Sequence, residues 1–373
     1  MVRERRRLNL EDIAEMAGVS RSTVSRVLND DPKVSDTVRA RVRGVIKETG
    51  YHPNAAARSL ATHRSNIIGL VFPRVFTMLF SDPWASVLIK GCIEGSERTD
   101  FSLVHMLVST DDQVAVDRFF ERSVMGRHLD GVILASHVIG DKLVARLQES
   151  NLPYVLIGRD AERRANFVDI DNRQATRVET QHILAHGYRK LLYLSGPPDL
   201  VTARDRQDGF LDAVEAADID PVHVRIECGY FEQVTAYDIA HRILCQPDPP
   251  EAVVAANDAM AIGVLQAARD LGISVPQQLA IVGFDDIDMN RMFRPHMTTI
   301  RQPSDVIGRA AVRMLADMIA NPHPEPMQQW VAAELIVRGS CGCSFSTLGA
   351  ADRRDGKEGR LFETGPDGLM AQT

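Results

Sequence analysis

The fold can be worked out from residues 10–29, which read LEDIAEMAGVSRSTVSRVLN. Asn9 can cap a helix that begins at residue 10, because its side-chain oxygen can accept a hydrogen bond from a free backbone N–H of the first turn. Apolar residues recur at helical spacing up to Gly18, which ends this helix, and Ser20 can cap a second helix after a very short turn. Two short helices joined by a glycine turn predict a helix-turn-helix.

A third amphipathic helix is predicted between Ser35 and Gly50, so the N-terminal segment should form a small all-α domain. The second helix is slim and carries serine, threonine and arginine on its outer face, so its first turn can enter a major groove about 12 Å wide. The outward residues are Arg21, Ser22 and Arg26, and an arginine there can donate two hydrogen bonds to a guanine. This pattern indicates DNA binding, and it leaves open a three-helix interaction module whose arginines are merely solvated.

The charge of the chain is divided unevenly. The 373 residues carry a net charge of −7. Residues 1–64 contain 13 basic and 8 acidic side chains, whereas the remaining 309 residues contain 30 and 42. A basic segment attached to an acidic body is typical of proteins that contact nucleic acid through that segment.

The composition, with 45% hydrophobic and 25% charged residues, is that of a globular protein of two or three domains. The longest apolar runs are broken within about a dozen residues, well short of the roughly 20 that a membrane-spanning helix needs. The first seven residues, MVRERRR, lead into charged sequence and not into the apolar stretch of a signal peptide. We therefore expect a cytoplasmic protein with no membrane contact.

The five cysteines are Cys92, Cys228, Cys245, Cys341 and Cys343. They are odd in number and lack the spacing of a disulfide framework, as expected in a reducing compartment. The Cys341-Gly-Cys343 pair could suggest a metal site, but a zinc site needs four ligands, and neither a histidine nor a second cysteine pair lies nearby. The prediction is free thiols, with no metal and no cofactor.

Short apolar runs alternate with amphipathic stretches over residues 66–345, which predicts parallel strands connected by helices. The runs form two similar sets, at 67–72, 101–107, 131–135 and 154–157, and then at 190–195, 224–226, 252–256 and 279–283. This predicts an α/β body of two doubly wound parallel-sheet subdomains. A helix after Pro303 and a late extended stretch at 329–337 suggest that the chain crosses between the subdomains more than once. A ligand should bind in the cleft between them.

Motifs of common enzymes are missing from the sequence, which has no dinucleotide-binding glycine fingerprint, P-loop, nucleophile elbow or zinc-helix motif. An enzyme is therefore not expected. Polar side chains instead follow several strands, and Arg206, Asn257 and Asp285 could form paired hydrogen bonds to the vicinal hydroxyls of a sugar. Trp84 and Phe231 could pack against the apolar face of a sugar ring.

Several of these polar and aromatic positions also have structural explanations. Asp258 and Asp286 could cap helices, and Arg204 could form a surface ion pair. Trp84 could pack in the core or in a dimer interface. Arg204 and Arg206 would also suit a phosphorylated ligand.

The stretch 10–29 resembles the signature of the lactose-repressor (LacI/GalR) family of bacterial transcription regulators. The similarity continues through YHPNAAARSLA at residues 51–61 and, more loosely, to about Gly342. It implies that the three outward residues of the second helix read bases, while their neighbours contact phosphates or dock the helix. The residues predicted to bind DNA are Ser20, Arg21, Ser22, Thr23, Ser25, Arg26, Asn29, Tyr51, Asn54, Leu60 and Ala61. Thr23 and Ser25 could instead have capping or packing roles.

Residues 53–61 contain good helix formers but span only about two turns, so a helix here would be marginal alone. The resemblance implies that this segment is a hinge helix, which pairs with its dimer mate over the minor groove and inserts Leu60 between two base pairs. Leu60 could instead pack the linker against the body. Ala61 lies where the family often has lysine or arginine, so a minor-groove cation is missing.

In the body, the resemblance implies a fold like that of the periplasmic binding proteins. The residues it places against an effector are Trp84, Ser136, Arg206, Phe231, Asn257 and Asp285. Gly158 lies where many members carry an aspartate, so one ligand contact is missing and the effector need not match those best known for the family.

A short helix-turn-helix usually reads a pseudopalindrome as a two-fold dimer, and apolar faces at 87–97 and 263–271 are broad enough for subunit contact. The predicted segments are a DNA-binding domain at 1–50, a hinge helix and linker at 51–65, a two-lobed effector-binding and dimerisation domain at 66–345, and a disordered tail at 346–373.

Together these features predict a homodimeric transcriptional repressor of sugar-metabolism genes, which a small-molecule inducer releases from its operator. Two alternatives stay open: a metabolite-binding protein without a DNA role, and a purine-type repressor that needs a corepressor.

Overall fold

The computed structural model describes residues 8–28, 30–51, 64–72, 83–135, 138–161, 164–322, 325–343 and 359–364. The chain divides into two compact units, Met1–Asn66 and Ile67–Thr373. We call the first unit the head and the second the body.

The described part of the head contains three helices, α1 (Leu10–Ala17), α2 (Arg21–Leu28) and α3 (Asp36–Thr49). Asn9 caps α1, because its Oδ1 accepts a hydrogen bond from the Asp12 backbone N at 2.9 Å. The Asp12 carboxylate in turn accepts one from the Asn9 backbone N at 2.7 Å. Gly18 follows α1 in the left-handed conformation, with φ of 60°. The three helices enclose a core centred on the fully buried side chains of Ile13, Val24 and Val42.

The body alternates helices and strands. Its helices are α4 (Pro83–Ser96), α5 (Gln113–Phe119), α6 (Lys142–Gln148), α7 (Asn172–Ala185), α8 (Val201–Ala216), α9 (Gln233–Leu244), α10 (Asp258–Asp270) and α11 (Ser304–Ala320). Its strands are β1 (Ile67–Phe72), β2 (Ser102–Leu107), β3 (Gly131–Ala135), β4 (Tyr154–Ile157), β5 (Phe167–Asp169), β6 (Leu191–Ser195), β7 (Val224–Cys228), β8 (Ala252–Ala255), β9 (Ala280–Asp285), β10 (Thr298–Arg301), β11 (Gln328–Trp330), β12 (Ala333–Val337) and β13 (Gly359–Thr364). Within the described ranges, no helix combines the length and apolar character needed to cross a bilayer.

The strands form two sheets, one in each lobe of the body. The first lobe has a six-stranded sheet of order β11-β5-β4-β3-β1-β2, in which all neighbours are parallel. The second lobe has a seven-stranded sheet of order β13-β12-β10-β9-β8-β6-β7, with antiparallel pairing only where β12 meets β10 and β13. The central strands are buried along their whole length, because helices cover both faces of each sheet. The predicted fold class, an all-α head and an α/β body of two parallel-sheet subdomains, is confirmed.

The chain crosses between the lobes three times, at residues 170–171, 302–303 and 331–332. After the first crossing α7 packs against α8 in the second lobe, and after the second crossing α11 packs against α4 in the first. The third crossing corrects the single extended stretch predicted at 329–337, because it divides that stretch into β11 and β12 in different sheets. Each crossing leaves only two residues between successive elements.

The predicted disorder of residues 346–373 does not hold for residues 359–364. These six residues form β13, which runs antiparallel to β12 with one irregularity in register. Without β13, the strand β12 would leave a row of unpaired backbone groups at the edge of the sheet. The remainder of the predicted tail lies outside the described residues.

The apolar face predicted for subunit contact at 263–271 is used inside the second lobe. Val264, Ala267 and Ala268 on α10 are fully buried. Gly263 allows this packing, since a Cβ atom there would lie 2.3 Å from the backbone oxygen of Gln233 on α9. These side chains are therefore not available for subunit contact, and a role of the exposed positions of this helix in dimerisation stays a prediction.

The cysteine pair near the end of the body lies against two histidines. Cys341 and Cys343 follow β12, and His182 and His186 lie at the end of α7. The prediction that no histidine lies near the cysteines is wrong. The fold brings the two histidines into contact with the two cysteines, although they are 157 to 161 positions apart in sequence.

Candidate functional site

A cleft between the two lobes of the body brings the predicted effector residues together. It encloses about 640 Å³, including the space at its mouth, which is within the range of small-molecule sites. Its lining residues are Trp84, Ile157, Gly158, Asp169, Leu200, Thr202, Arg206, Phe231, Asn257, Asp285, Gln302 and Ile307. Five of the six predicted effector residues are among them. The sixth, Ser136, lies outside the described residues.

Arg206, on α8, is the buried cation of the cleft. Its Nε donates to Asn172 Oδ1 at 2.9 Å, its Nη1 to the Ala256 carbonyl at 2.6 Å and its Nη2 to Gln302 Oε1 at 3.0 Å. The guanidinium also lies 3.7 Å from Asp285 Oδ1, and the side chains of this ion pair are only 5% and 6% exposed. Arg206 is thus held in one orientation by internal partners before any ligand binds.

Asp285 ends β9 with a φ of 112°, a backbone conformation that non-glycine residues rarely adopt. Strained residues of this kind persist where the surrounding structure fixes them, and they cluster at ligand sites. The strain at Asp285 is consistent with a residue whose carboxylate must face the cleft next to Arg206.

Phe231 presents an aromatic ring to the cleft and is positioned from two sides. Asn257 Nδ2 donates to the Phe231 carbonyl at 3.2 Å, while Asn257 Oδ1 caps α10 by accepting from the Met260 N at 2.9 Å. The ring lies directly over Gly196, where a Cβ atom would approach three ring carbons to 2.2–2.6 Å. Glycine is therefore required at position 196 for the ring to occupy this place.

Asp169 is a buried carboxylate of the cleft that the sequence did not reveal. It accepts hydrogen bonds from the backbone N of Arg159 at 2.9 Å and from Asn172 Nδ2 at 3.0 Å. Burial raises the pKa of Asp169 to about 6, against the opposing effect of its backbone hydrogen bonds. The Asn172 amide, which also accepts from Arg206, links this carboxylate to the buried cation.

In the head, the start of α2 forms a polar, exposed surface. Ser20 Oγ accepts from the Thr23 N at 3.2 Å and lies 2.8 Å from Ser22 Oγ. The side chains of Arg21 and Arg26 are 70% and 61% exposed. Arg21 forms an exposed ion pair with Glu11 at 3.1 Å, which contributes little to stability and can be exchanged for another acidic partner. This surface suits contact with an anionic polymer.

Comparison with known proteins identifies both units. Residues 9–54 match the model of bacterial regulatory proteins of the lacI family, and residues 180–341 match the periplasmic binding protein-like domain. The HTH-type transcriptional regulator CelR of Thermobifida fusca is 34% identical over 339 residues, which cover 90% of this chain and 99% of that protein. The chain belongs to the lacI family of bacterial regulatory proteins.

Other proteins that resemble this lacI-family protein over about nine-tenths of its length are also transcriptional regulators. The ribose operon repressor of Escherichia coli (strain K12) is 30% identical, with 89% of this chain and 99% of that protein covered. A structure of the CelR–cellobiose complex matches with a TM-score of 0.68 and 33% identity, over 90% of this chain and 100% of the other. A lac repressor dimer bound to operator and the anti-inducer ONPF matches with a TM-score of 0.80 and 25% identity, over 90% and 99%. These relatives are transcriptional regulators and not enzymes, so the predictions of family and of a non-enzymatic function are confirmed.

The lobes of this lacI-family protein are also joined by an ion pair that the sequence did not predict. Arg159 follows β4 in the first lobe and donates to both carboxylate oxygens of Asp205 on α8, with a distance of 2.7 Å from Nε to Oδ2. The Arg159 side chain is 19% exposed and that of Asp205 is 9% exposed. Burial raises the pKa of Asp205, and the bonds from Arg159 partly offset this effect. No local motif marks this pair, because its partners lie 46 residues apart.

The capping roles considered for Asp258 and Asp286 are wrong, because Asn257 is the N-cap of α10 and Ile287 is the N-cap of the short helical turn that follows Asp286. Asp258 is fully buried and accepts from Thr299 Oγ1 at 2.7 Å and from Asn290 Nδ2 at 2.6 Å. Asp286 pairs with two arginines of the second lobe, Arg301 and Arg338.

Arg204 is exposed and donates to the Pro198 carbonyl at 3.1 Å. Trp84 lines the cleft and also packs against the main core, and its contact with a ligand or with a second subunit stays a prediction.

The predicted DNA-binding residues fall into four groups. Ser20, Arg21, Ser22 and Arg26 are exposed, while Thr23 and Ser25 are half-buried. Tyr51 is 8% exposed and packs in the head core, so most of its ring is occupied by packing. The remaining four, which lie outside the described residues, are Asn29, Asn54, Leu60 and Ala61.

Proposed function

We propose that this protein is a cytoplasmic, homodimeric transcriptional repressor of sugar-metabolism genes, whose affinity for a pseudopalindromic operator is lowered by a neutral sugar bound in the cleft. The observation that carries the proposal is the combination, in one lacI-family chain, of an exposed arginine-bearing helix in the head with a polar and aromatic cleft in the body. The first suits DNA and the second suits a carbohydrate.

A neutral sugar is favoured by the charges of the cleft. Asp169 and Asp285 contribute two carboxylates, whereas the guanidinium of Arg206 already faces Asp285 and donates to three other groups. A phosphate would meet this negative surface without a free cation among the lining residues that the structure describes. Carboxylate and amide oxygens accept hydrogen bonds from sugar hydroxyls, and Trp84 and Phe231 offer aromatic faces to the ring.

DNA recognition is proposed for the exposed residues at the start of α2. Arg21 and Arg26 have the exposure and reach to read guanine in the major groove, and Ser20 and Ser22 can contact phosphates. The proposed coupling element is the linker 51–65, with Leu60 as the intercalating side chain, and residues 52–63 of it lie outside the described residues.

A homodimer is supported by exposed apolar side chains on the first lobe. Val87 and Ile93 on α4 and Val104 and Leu107 on β2 are each about two-fifths exposed. β2 is also the edge strand of its sheet. Exposed apolar side chains are common at protein–protein interfaces, and the lac repressor structure that this chain resembles is a dimer.

The proposal is tested by measuring whether ligand and DNA binding are linked. Fluorescence anisotropy with DNA from upstream of the gene should give salt-sensitive, sequence-specific binding. Ribose, cellobiose, their phosphates and purine bases are then screened by thermal shift, and the best ligand is titrated by calorimetry with and without operator.

We expect a neutral sugar to bind DNA-free protein about 5–150-fold more tightly than operator-bound protein, and to lower operator affinity by the same factor. Equal ligand affinity in both states would refute the allosteric proposal. A purine base that raises operator affinity would instead support the corepressor alternative. Absence of salt-sensitive DNA binding would support the metabolite-binding alternative.

A further inference from the structure

Four side chains with metal-binding chemistry meet at one point on the second lobe. His182 lies in the last turn of α7 and His186 is the residue that caps its C-terminal end, and their rings are in edge-to-face contact with centroids 4.9 Å apart. Cys341 and Cys343 lie in the segment that follows β12. One ligand atom from each residue can be chosen so that all four lie within 4.8 Å of one another. None of the four lines the cleft.

The distances match those of a tetrahedral metal site. His182 Nε2 lies 3.3 Å from Cys341 Sγ and 3.8 Å from Cys343 Sγ, and His186 Nε2 lies 3.2 Å from Cys343 Sγ. Zinc bonds of about 2.3 Å to sulfur and 2.0 Å to nitrogen, at tetrahedral angles, place the two ligand atoms about 3.5 Å apart. An ion could therefore occupy the centre of the cluster with adjustments of a few tenths of an ångström.

The local backbone is arranged so that both sulfurs face the histidines. Gly342, between the two cysteines, has a φ of 98°, which residues with a Cβ rarely adopt. A Cβ at this position would also lie 2.8 Å from the Tyr188 hydroxyl oxygen. The turn therefore favours glycine at position 342, and a side chain there would also displace the Tyr188 hydroxyl from its place beside the cluster.

The hydroxyl group of Thr298 donates a hydrogen bond to one of the two sulfurs. Thr298 Oγ1 accepts a hydrogen bond from the Arg338 backbone N at 2.8 Å and donates its own proton to Cys341 Sγ at 3.2 Å. Donors to a cysteine sulfur stabilise the thiolate form, which is the form that binds metal, and such supporting groups are typical of built metal sites. Cys341 is fully buried, so this contact is not shared with solvent.

We propose that His182, His186, Cys341 and Cys343 form a structural zinc site that fixes the segment after β12 to the end of α7. Two thiolates and two imidazoles form a ligand set that favours zinc over magnesium or calcium. With four protein ligands the coordination is complete, and no position is left for a substrate. The site therefore has a stabilising role, separate from effector binding and from DNA binding.

The experiment uses the full chain, purified under reducing conditions and freed of metal with a chelator. Zinc and, separately, cobalt are titrated into the protein, and bound metal is quantified by elemental analysis. The variants are H186A, which changes the exposed histidine of the cluster, and C343S. The control is C245S, which removes an exposed cysteine elsewhere.

We expect the wild-type protein and C245S to bind about one zinc ion per chain and to melt at a higher temperature with zinc than without it. H186A and C343S should lose most of this affinity and of the zinc-dependent rise in melting temperature. Bound cobalt should show the thiolate charge-transfer absorption and the strong visible bands of tetrahedral sulfur–nitrogen coordination, with the charge-transfer band weakened in C343S.

Each contrary result overturns the proposal. Zinc binding that is equally strong in H186A and C343S would place the ion elsewhere, and cobalt spectra without thiolate bands would exclude the cysteines. Recovery of copper in place of zinc from the purified protein would refute the assignment of the metal. A Cys341–Cys343 disulfide that persists under reducing conditions would leave no thiolate to bind zinc and would refute the site. None of these readouts depends on the proposed repressor function, so the two proposals can fail separately.

Discussion

Replacing Arg206 by methionine should destabilise the body strongly, although the side chain lies at the edge of an open cleft. Methionine fills a similar volume but leaves the Asn172, Ala256 and Gln302 oxygens without their donor and the Asp285 carboxylate without its cation. An acceptor left unsatisfied costs about 1–3 kcal/mol, and removing one partner of a buried ion pair costs about 3–5 kcal/mol. Because water can enter from the cleft, we expect a loss of about 3–5 kcal/mol in the free energy of unfolding.

Urea denaturation followed by tryptophan fluorescence measures this loss, because both tryptophans of the chain, Trp84 and Trp330, lie in the body. The matched control is Arg204→Met on the same helix, where the exposed side chain has a bond to one backbone carbonyl. This control should change the free energy of unfolding by no more than about 0.5 kcal/mol. A loss below about 1 kcal/mol for Arg206→Met would refute the view that Arg206 holds the cleft together.

Three further predictions concern ligand binding, DNA binding and pH. Gly196→Ala should displace the Phe231 ring by about 1 Å and weaken sugar binding by up to about tenfold in calorimetry, since an aromatic contact is worth about 0.5–1.5 kcal/mol. Arg26→Ala should weaken binding to the cognate half-site by about 1–3 kcal/mol, whereas Arg41→Ala, on the exposed face of α3, should weaken binding to all DNA equally in competition titrations. Burial raises the pKa of Asp258 from 3.8 to about 7, so the folded state holds a proton there that the unfolded state releases near pH 4. The free energy of unfolding should therefore fall as pH rises from 4 to 7. In urea denaturation across this range, Asp258→Asn should therefore remove a decline of a few kcal/mol.

Each of these predictions has its own control or contrary result. Gly44→Ala is the control for the glycine substitution, because a Cβ there meets nothing within 4 Å, and unchanged sugar affinity in Gly196→Ala would contradict the role of the ring. Arg41 is chosen over Arg39 as the arginine that contacts phosphates, because the Arg39 side chain is only 16% exposed and donates to the Asp31 carbonyl. Equal losses on cognate and random DNA for Arg26→Ala would remove it from base reading. Parallel stability profiles of wild type and Asp258→Asn would show that Asp258 is charged throughout.

The head could be predicted in detail from the sequence because its signals are local. The Asn9 cap, the Gly18 turn and the apolar spacing of α1 all lie within ten residues, and each is found in the structure. The alternation of strands and helices in the body was visible for the same reason. The pattern does not show which sheet a strand joins: residues 329–337 form one extended stretch in the sequence, but its two halves belong to different lobes.

Contacts between distant residues account for what the sequence did not reveal. Arg159 and Asp205 share no sequence motif. His182 is 159 positions from Cys341, so no spacing pattern in the sequence connects the histidines with the cysteines. Apolar periodicity could not distinguish a face that packs inside the chain from one that packs against a second chain. The apolar spacing of α10 at Val264 predicts a subunit contact as readily as an internal one, and the structure buries this side chain within the second lobe.

The three crossings between the lobes restrict how the body can move. Each linker is only two residues long, so the lobes cannot move far apart, and we expect any motion between them to be a rotation at these linkers. Asp169 borders the first linker and Gln302 belongs to the second, and both line the cleft. The pivot is therefore part of the ligand-binding surface, and a bound molecule can set the angle between the lobes by acting directly on the axis about which they turn.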